Sequence, residues 1–281
     1  MLSQTIIDSV VSSALEEDLA GGEDVTSVAT ISENQFSQAE FRTRKAGVIA
    51  GVPLAIATLN RCGVTDIQTN NCDGSHVNAG EIILQVSGNT RSILLAERTA
   101  LNFLCHLSGI ATVTTQWVTA ISGTHAKIRD TRKTTPGLRV LEKYAVQMGG
   151  GANHRMSLSD AALIKDNHIA AAGDIALAFS AVTSRYPNLE VEVEVDTLEQ
   201  LSAALAAGAR FILLDNMTSD QCREAVKITN GRAKLEASGG LTLESARRYA
   251  ETGVDYLAVG ALTHSAPILD IGLDFLKNSK G

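Results

Sequence analysis

The chain has 281 residues, 44% of them hydrophobic and 20% charged, with a formal net charge of −7. This length is enough for one large or two ordinary domains, and with only 4 prolines, 23 glycines and no low-complexity tract it excludes wholesale disorder. Aromatic residues make up only 4%, which argues against a surface that stacks on exposed bases or sugars.

The four cysteines are scattered along the chain and form no CxxC pair. Such spacing fits neither a zinc knuckle nor a disulfide framework. No basic-then-apolar leader follows Met1. Together these features predict a reduced, cytoplasmic protein.

The first hundred residues predict a small α+β domain. A helix is expected over Ile6–Leu15, where apolar residues recur at helical spacing, and an acidic, glycine-rich turn follows it. Short segments separated by glycines come next. These segments are the strands Ala39–Thr43, Asp66–Thr69 and Ile82–Val86 and a helix near Leu54–Arg61.

The next stretch, Thr99–Ala126, contains no Asp, Glu, Lys or Arg. If it spanned a membrane, its polar side chains, among them Asn102, His106 and Gln116, would have to be satisfied without water. The stretch therefore predicts two buried helices or one long one rather than a membrane span.

From about Gly109 onward, strands and helices alternate, which is typical of repeated βα units in a parallel sheet or barrel. The predicted strands are Ala126–Thr131, Ala161–Lys165, Glu190–Val195, Phe211–Asp215, Lys234–Ser238 and Tyr256–Gly260. The predicted helices are Asp174–Ser184, Leu198–Ala207, Ser219–Lys227 and Leu243–Thr252, with Thr197 and Thr242 at the start of two of them. In a βα-barrel, functional groups gather at the C-terminal ends of the strands, and here those ends are polar. The pattern alone gives no reason why six such strands occur rather than the usual eight.

The strand Glu190–Val195 alternates glutamate and valine, so its three glutamates share one face. In a barrel the valines would meet the helices and the carboxylates would point inward, where like charges need partners. The candidate partners are Lys127, Arg129, Lys234 and Glu236, which alternate with apolar residues in two other strands. The alternative is an edge strand with its glutamates in water.

The charge is unevenly distributed. Between Arg98 and Lys165 there are nine lysines and arginines but only three acids, a net of +6 within an acidic protein. Such a cationic middle favours a small anionic ligand over a nucleic acid, whose binders usually present net-basic faces. The alternative is a basic surface patch without function.

Three runs hold the densest set of charged and polar residues: DTRKTTPGLR at 130–139, GGGANHR at 149–155 and LIKDNHI at 163–169. Others accompany them in order, namely AERTALNF at 96–103, LSGIAT at 107–112, VEVEV at 191–195, LLDN at 213–216, LEASGG at 235–240, VGALTHS at 259–265 and LDI at 269–271. This ordered set covers nearly the whole chain and resembles the quinolinate phosphoribosyltransferase family of NAD biosynthesis.

The resemblance implies a fold that accounts for six strands. It implies an α/β protein with an N-terminal open-faced α/β sandwich (residues 1–108) and an incomplete, six-stranded α/β barrel (109–268), the type II phosphoribosyltransferase fold. The segment 269–281 is expected to return to the N-terminal domain. A homodimer, or a higher oligomer built from it, with shared active sites is implied as well, and no nucleic acid or membrane partner.

The resemblance also implies the site. Arg132 and Arg155 can hold carboxylates bidentately, and by resemblance they bind quinolinate with His154, Lys165 and the neighbouring subunit's copy of Arg98. Thr131 is implied as a further catalytic or substrate-binding residue. Lys133 is implied as a ligand of phosphoribosyl pyrophosphate. The residues implied for the phosphates are Ser238, Gly239, Gly240, Val259, Gly260, Ala261 and His264.

Glu194 and Asp215 are the matching acidic positions, implied to hold Mg²⁺ directly or through water. Two carboxylates at the ends of adjacent strands should raise the pKa of at least one of them when no cation intervenes. The implied reaction gives nicotinate mononucleotide, CO2 and pyrophosphate.

Two other functions stay open from the sequence. A Schiff-base aldolase would use Lys165 as a desolvated nucleophile at a strand end, but it leaves Arg132, Lys133 and Arg155 without a role. The second is a homologue of the family associated with molybdenum transport, against which the intact run 165–168 (KDNH) argues.

Overall fold

The structure, a computed structural model, describes residues 2–276. The elements of the first part of the chain are α1 (Gln4–Leu19), α2 (Val25–Thr30), β1 (Phe36–Thr43), β2 (Gly47–Val48), α3 (Val52–Arg61), β3 (Asp66–Thr69), β4 (His76–Val77), β5 (Ile82–Asn89) and α4 (Thr90–Ala120). Those that follow are β6 (Lys127–Arg129), α5 (Arg139–Met148), β7 (Ala162–Ile164), α6 (Asp166–Ala172), α7 (Ile175–Arg185), β8 (Val191–Val195), α8 (Leu198–Ala206), β9 (Phe211–Asp215), α9 (Ser219–Thr229), β10 (Lys234–Ser238), α10 (Leu243–Ala250), β11 (Tyr256–Ala258), α11 (Ala261–His264) and β12 (Ile271–Phe275).

These elements form two compact units. The first unit contains the chain up to Val113, the segment Val140–Gly149 and the chain from Ala266 on, and the second contains Thr114–Arg139 and Gly150–Ser265. The predicted boundaries put all of α5 with the barrel, whereas nearly all of that helix belongs to the first unit. Residues 277–281 of the predicted C-terminal segment lie outside the described residues.

Polar contacts with distant residues hold α5 in the first unit. The Tyr144 hydroxyl donates a hydrogen bond to Asp73 at 2.7 Å, and His106 Nε2 lies 3.1 Å from Glu142 Oε1. Burial and the Asp73 carboxylate raise the pKa of the Tyr144 hydroxyl well above its usual value, so it stays a donor. Contacts between residues so far apart in sequence leave no periodic pattern, so the sequence could not predict that α5 belongs to the first unit.

The first unit is built on a four-stranded antiparallel sheet in the order β12-β1-β5-β3. Phe41 and Leu84 of its strands join Leu59 of α3 and Leu104 of α4 in one buried core. The C-terminal strand β12 pairs with β1, so the end of the chain completes the sheet that its beginning forms. This is an α/β sandwich with one layer of sheet.

The charge-free stretch is one long helix, α4, and not two. Two hydroxyls of α4 accept hydrogen bonds from backbone N–H groups at and just after β2. Ser108 Oγ accepts from Ala50 N at 3.0 Å, and Thr112 Oγ1 accepts from Val48 N at 2.9 Å. These contacts explain polar residues on a buried helix. Among residues 2–276, no helix is both long and apolar enough to cross a membrane.

The second unit is a six-stranded parallel sheet in the order β6-β11-β10-β9-β8-β7, flanked by helices. Its first strand, β6, pairs with its last, β11, as in a barrel, but no ladder joins β6 to β7 within the described part of the chain. The barrel is therefore incomplete, as predicted, with six strands among residues 2–276. Thr197 and Thr242 cap α8 and α10, where their side chains accept hydrogen bonds from Gln200 N and Ser245 N.

Candidate active site

The interior of the barrel holds the predicted ion network. Glu192 and Glu236 are 5% and 1% exposed, and Arg129 Nη1 lies 2.8 Å from Glu236 Oε2. β8 lies between β7 and β9, so the alternative of an edge strand is wrong. Glu190 precedes β8 and is exposed, which corrects its predicted inward position.

Two of the candidate partners lie outside this network. Lys127 and Lys234 are exposed at the N-terminal ends of β6 and β10. The Lys234 Nζ lies 5.8 Å from the centre of the Tyr256 ring, a cation–π contact rather than an ion pair. The network therefore contains Arg129 and Glu236 of the four candidates.

A cavity of about 370 Å³ opens at the C-terminal ends of the strands. Nine predicted site residues line it, namely Thr131, Arg132, Lys133, His154, Arg155, Lys165, Glu194, Asp215 and Ser238. A larger cavity of about 550 Å³ lies at the opposite ends of β9 and β10 and contains none of them. Because side chains for chemistry converge at the C-terminal ends in barrels, the smaller cavity is the candidate active site.

Two arginines stand side by side in this cavity. Burial and the neighbouring charge of Arg132 lower the pKa of Arg155. The buried Arg132 Nε has no hydrogen-bond partner among the described residues, while Arg155 Nη1 donates to Ala161 O at 3.0 Å. A buried donor without a partner costs stability, so this pair is suited to an anion that accepts several hydrogen bonds.

The turn that carries His154 and Arg155 is anchored to the end of β6 by Asp130. This carboxylate is fully buried, and it accepts hydrogen bonds from His154 N at 2.8 Å and from Asn153 Nδ2 at 2.5 Å. Asp130 and Arg132, which are two residues apart, therefore have different roles. The first fixes the turn, and the second lines the cavity.

His154 uses both of its ring nitrogens inside the protein. The backbone N–H of Arg155 donates to Nδ1 at 2.6 Å, so the proton of the ring is on Nε2, which lies 2.9 Å from Glu192 Oε2. Nε2 lies 3.5 Å from Glu236 Oε1. In this arrangement the ring positions the two glutamates, and its role as a quinolinate ligand stays a prediction.

Glu194 and Asp215 end the adjacent strands β8 and β9 and line the same cavity. Lys165 Nζ lies 2.5 Å from Glu194 Oε2, and its side chain is 47% exposed. A Schiff-base lysine requires a desolvated amine, so this exposed, paired side chain does not favour the aldolase.

The pKa of the Asp215 carboxyl is raised, as predicted for one of the two acids. The cause differs from the prediction: burial contributes most, followed by the charge of Asp196, while Lys165 and Lys133 oppose the shift. Repulsion by Glu194 is not the cause.

The residues predicted for the phosphates follow β10 and β11. Gly239 has a φ of +90°, and a Cβ there would lie 2.2 Å from Asn216 Oδ1, so only glycine fits. At the end of β11, a Cβ on Gly260 would lie 2.9 Å from Lys133 Cδ, and Thr263 Oγ1 donates to Lys133 O at 2.7 Å. The other predicted residues there are Gly240, Val259, Ala261 and His264, of which Gly240 and His264 are exposed and Val259 is buried.

Sequence reasoning missed four residues that line the cavity. Leu163, Leu213 and Ala258 supply apolar surface, and Glu236 supplies a buried carboxyl. Glu236 stands two residues before Ser238 on the same strand face, and this spacing is the signal that could have placed it in the site. Arg98 is exposed on α4 in the first unit.

Comparison with known families agrees with this architecture. Residues 110–274 match the family described as quinolinate phosphoribosyl transferase, C-terminal domain, and residues 24–108 match its N-terminal domain. The chain belongs to the quinolinate phosphoribosyltransferase family.

Individual relatives match over almost the full length. The carboxylating nicotinate-nucleotide pyrophosphorylase of Mycobacterium leprae is 53% identical, over 93% of this chain and 94% of that protein. The solved structure of NadC from Streptococcus pyogenes has 40% identity and a TM-score of 0.93, over 99% of both chains. The nicotinate-nucleotide pyrophosphorylase from Francisella tularensis has 40% identity and a TM-score of 0.92, over 98% of both chains. The predicted fold class is confirmed.

Proposed function

We propose that this enzyme transfers the phosphoribosyl group of phosphoribosyl pyrophosphate to quinolinate and removes one carboxylate as CO2. The products are nicotinate mononucleotide, CO2 and pyrophosphate, as required for the de novo synthesis of NAD. The observation that carries the proposal is the pair of arginines in the cavity, in a chain of this family. The buried Nε of Arg132 has no hydrogen-bond partner within the described part of the chain, and burial together with the charge of Arg132 lowers the pKa of Arg155.

Quinolinate matches these two cations because it carries two carboxylates on adjacent ring carbons. Guanidinium groups bind carboxylates through parallel N–H donors, and a dianion relieves the mutual repulsion of two arginines. Leu163 and Leu213 line the same cavity and offer apolar surface to a flat ring. Lys165 adds a third positive charge near them.

Phosphoribosyl pyrophosphate requires phosphate sites and acidic groups for its ribose. The turn at Gly239, which admits no side chain, allows backbone N–H groups to approach a phosphate closely. Lys133 lies beside Gly260 and lines the cavity, where it can balance the negative charge of the pyrophosphate. The carboxylates of Glu194 and Asp215 can stabilise the positive charge that develops on the ribose as the pyrophosphate leaves.

Glu194 and Asp215 also suit Mg²⁺. They supply carboxylate oxygens, the ligands that this ion prefers, at the ends of adjacent strands on one cavity. The raised pKa of Asp215 shows that burial and the charge of Asp196 disfavour its ionised form, which a bound cation would offset. When bound, Mg²⁺ would neutralise charge on the departing pyrophosphate.

The proposed specificity for a dicarboxylate can be tested by thermal unfolding. Quinolinate should raise the melting temperature, because a ligand that binds only the folded state stabilises it by mass action. Nicotinate has one carboxylate and should produce a clearly smaller shift at the same concentration. Equal shifts with the two compounds, or none with quinolinate, would contradict the dicarboxylate site.

We further propose a homodimer in which the partner's copy of Arg98 completes each site. The support is the family's shared sites, implied by resemblance, and the exposure of Arg98 on α4. A cytoplasmic location stays a prediction from the cysteine pattern.

Mixing two inactive variants tests the shared site. Arg98→Ala and Lys165→Ala chains, unfolded and refolded together, should form hybrid dimers with one site that lacks neither residue. We expect restored activity in the mixture and none in either variant alone. Hybrid dimers verified by differential tags that stay inactive would rule out the contribution of Arg98 across the interface.

A further inference from the structure

The proposed reaction needs a proton that no residue described so far supplies. When CO2 leaves quinolinate mononucleotide, the electron pair of the broken carbon–carbon bond stays on the ring carbon next to the nitrogen. In nicotinate mononucleotide that carbon carries hydrogen. One proton must therefore be delivered inside the cavity, and the inference below rests on the proposed function.

Glu236 is placed to deliver it. Its carboxyl lines the cavity although only 1% of the residue is exposed. Oε2 accepts from Arg129 Nη1 at 2.8 Å, whereas Oε1 is buried and has no hydrogen-bond partner among the described residues. A buried carboxyl oxygen without a partner is costly, and a proton on it would turn it into a donor toward the cavity.

The charges around Glu236 favour that proton. Among the described residues, Arg129 is the cation that pairs directly with Glu236, and the Nε2 of His154 lies 2.9 Å from Glu192 Oε2 and 3.5 Å from Glu236 Oε1. The guanidinium of Arg129 is therefore the permanent counter-charge that the two glutamates share. Burial and the charge of Glu192 raise the pKa of Glu236 to about 7, against the opposing effects of His154 and Arg129.

The same cluster has the residue types of a metal site. One ligand atom from each of His154, Glu192 and Glu236 lies within 4.8 Å of the others. A divalent cation there would lie next to the guanidinium of Arg129, which already neutralises Glu236. The arrangement therefore favours a proton over a metal ion.

We propose that Glu236 is the general acid that protonates the ring carbon vacated by CO2. The bond between ring carbon and carboxylate breaks and leaves its electron pair on the carbon. In the same step a carbon–hydrogen bond forms from that electron pair as the Oε1–H bond of Glu236 breaks, and the electrons of the O–H bond stay on the carboxylate, so CO2 release depends on the proton. The cavity is open at the strand ends, so solvent restores the proton before the next turnover.

The test separates the two halves of the reaction in a single turnover with enzyme in excess. Quinolinate labelled in the leaving carboxylate reports CO2 release, and a coupled assay reports pyrophosphate. Glu236→Gln keeps an acceptor for Arg129 but cannot donate as an acid. We expect pyrophosphate release close to the wild-type rate, CO2 release slowed about 10²-fold, and accumulation of quinolinate mononucleotide.

Glu190→Gln is the matched control, since it makes the same change on an exposed glutamate that precedes β8 and lies outside the ion network, and it leaves Glu236 and its neighbours intact. It is expected to keep CO2 and pyrophosphate release in step. If Glu236→Gln slows both releases equally, its role is structural and the proposal is wrong. If the wild-type protein forms neither product, the proposed function fails, which is a different outcome.

A second measurement uses the wild-type protein and does not depend on the folding of a variant. Arg129 of β6, His154 of the turn before β7 and Glu192 of β8 face Glu236. Because the acid form is needed, CO2 release should lag behind pyrophosphate release as the pH rises through about 7. If the two releases stayed in step as the pH rose through this range, the proposal would be overturned.

Discussion

Replacing Arg155 or Arg132 by alanine is expected to abolish quinolinate binding at concentrations that saturate the wild-type enzyme. Each change leaves a substrate carboxylate without its charge-assisted partner in a site where both arginines are partly buried. The loss of one partner from such a pair costs about 2–5 kcal/mol. Because every 1.4 kcal/mol is tenfold in affinity, the Kd should rise by more than tenfold.

The measurement is calorimetric titration with quinolinate, together with the KM of each variant. Lys127→Ala is the control, since it removes a positive charge from the opposite, exposed end of β6 and should leave the KM unchanged. Arg155→Lys should recover little, because an ammonium group cannot form two parallel hydrogen bonds to a carboxylate. A wild-type KM and turnover in both alanine variants would show that the arginines do not bind the substrate.

Replacing Glu194 by glutamine or Asp215 by asparagine is expected to remove turnover while quinolinate still binds. These carboxylates lie at the strand ends where we place the ribose and Mg²⁺, and the amides keep the shape but lose the charge. Electrostatic stabilisation of this kind is worth about 10²–10³ in rate when one group is removed. The dependence of the rate on Mg²⁺ concentration should disappear when either carboxylate is replaced.

Steady-state rates against Mg²⁺ concentration, with a parallel quinolinate titration, measure both effects. Glu190→Gln is the matched control, because this glutamate precedes the same strand but is exposed outside the network. It should keep the wild-type metal response. Should both site variants show wild-type turnover and the same dependence on Mg²⁺, the metal role of these carboxylates would be wrong.

Most of the barrel could be predicted from local sequence patterns. Phe211–Asp215 is an apolar run that ends in a carboxylate and Lys234–Ser238 alternates polar and apolar residues, and both strands have the predicted bounds. The expected strand Tyr256–Gly260 ends at Ala258 instead, because Gly260 is already the N-terminal cap of α11. The helix expected over Ile6–Leu15 extends to Gln4–Leu19, with Ser3 as its cap.

The parts that could not be predicted depend on contacts between distant residues. The position of α5 is decided by Asp73 and His106, far away in sequence, and not by the pattern of the helix itself. The sequence pattern indicated Glu236 as a partner in an ion network but not as a residue that lines the cavity. Whether a buried carboxyl has one free oxygen is decided by side-chain geometry, which alternation along a strand cannot reveal.

The site residues themselves were found through ordered motifs rather than through periodicity. Composition and charge indicated only an anionic ligand, and the motifs supplied the identities of the arginines and carboxylates. The structure brings nine of these residues into one cavity, although they come from the ends of five different strands and from the turn before β7. A barrel makes this possible because all its strands end at the same edge.

The most direct test of the account is an assay that supplies quinolinate, phosphoribosyl pyrophosphate and Mg²⁺ and measures all products. We expect nicotinate mononucleotide, CO2 and pyrophosphate in equal amounts, and no product when either substrate or Mg²⁺ is omitted. Nicotinate in place of quinolinate should give no comparable rate. Failure of the purified protein to form nicotinate mononucleotide from the complete mixture, or equal rates with nicotinate, would contradict the proposed function.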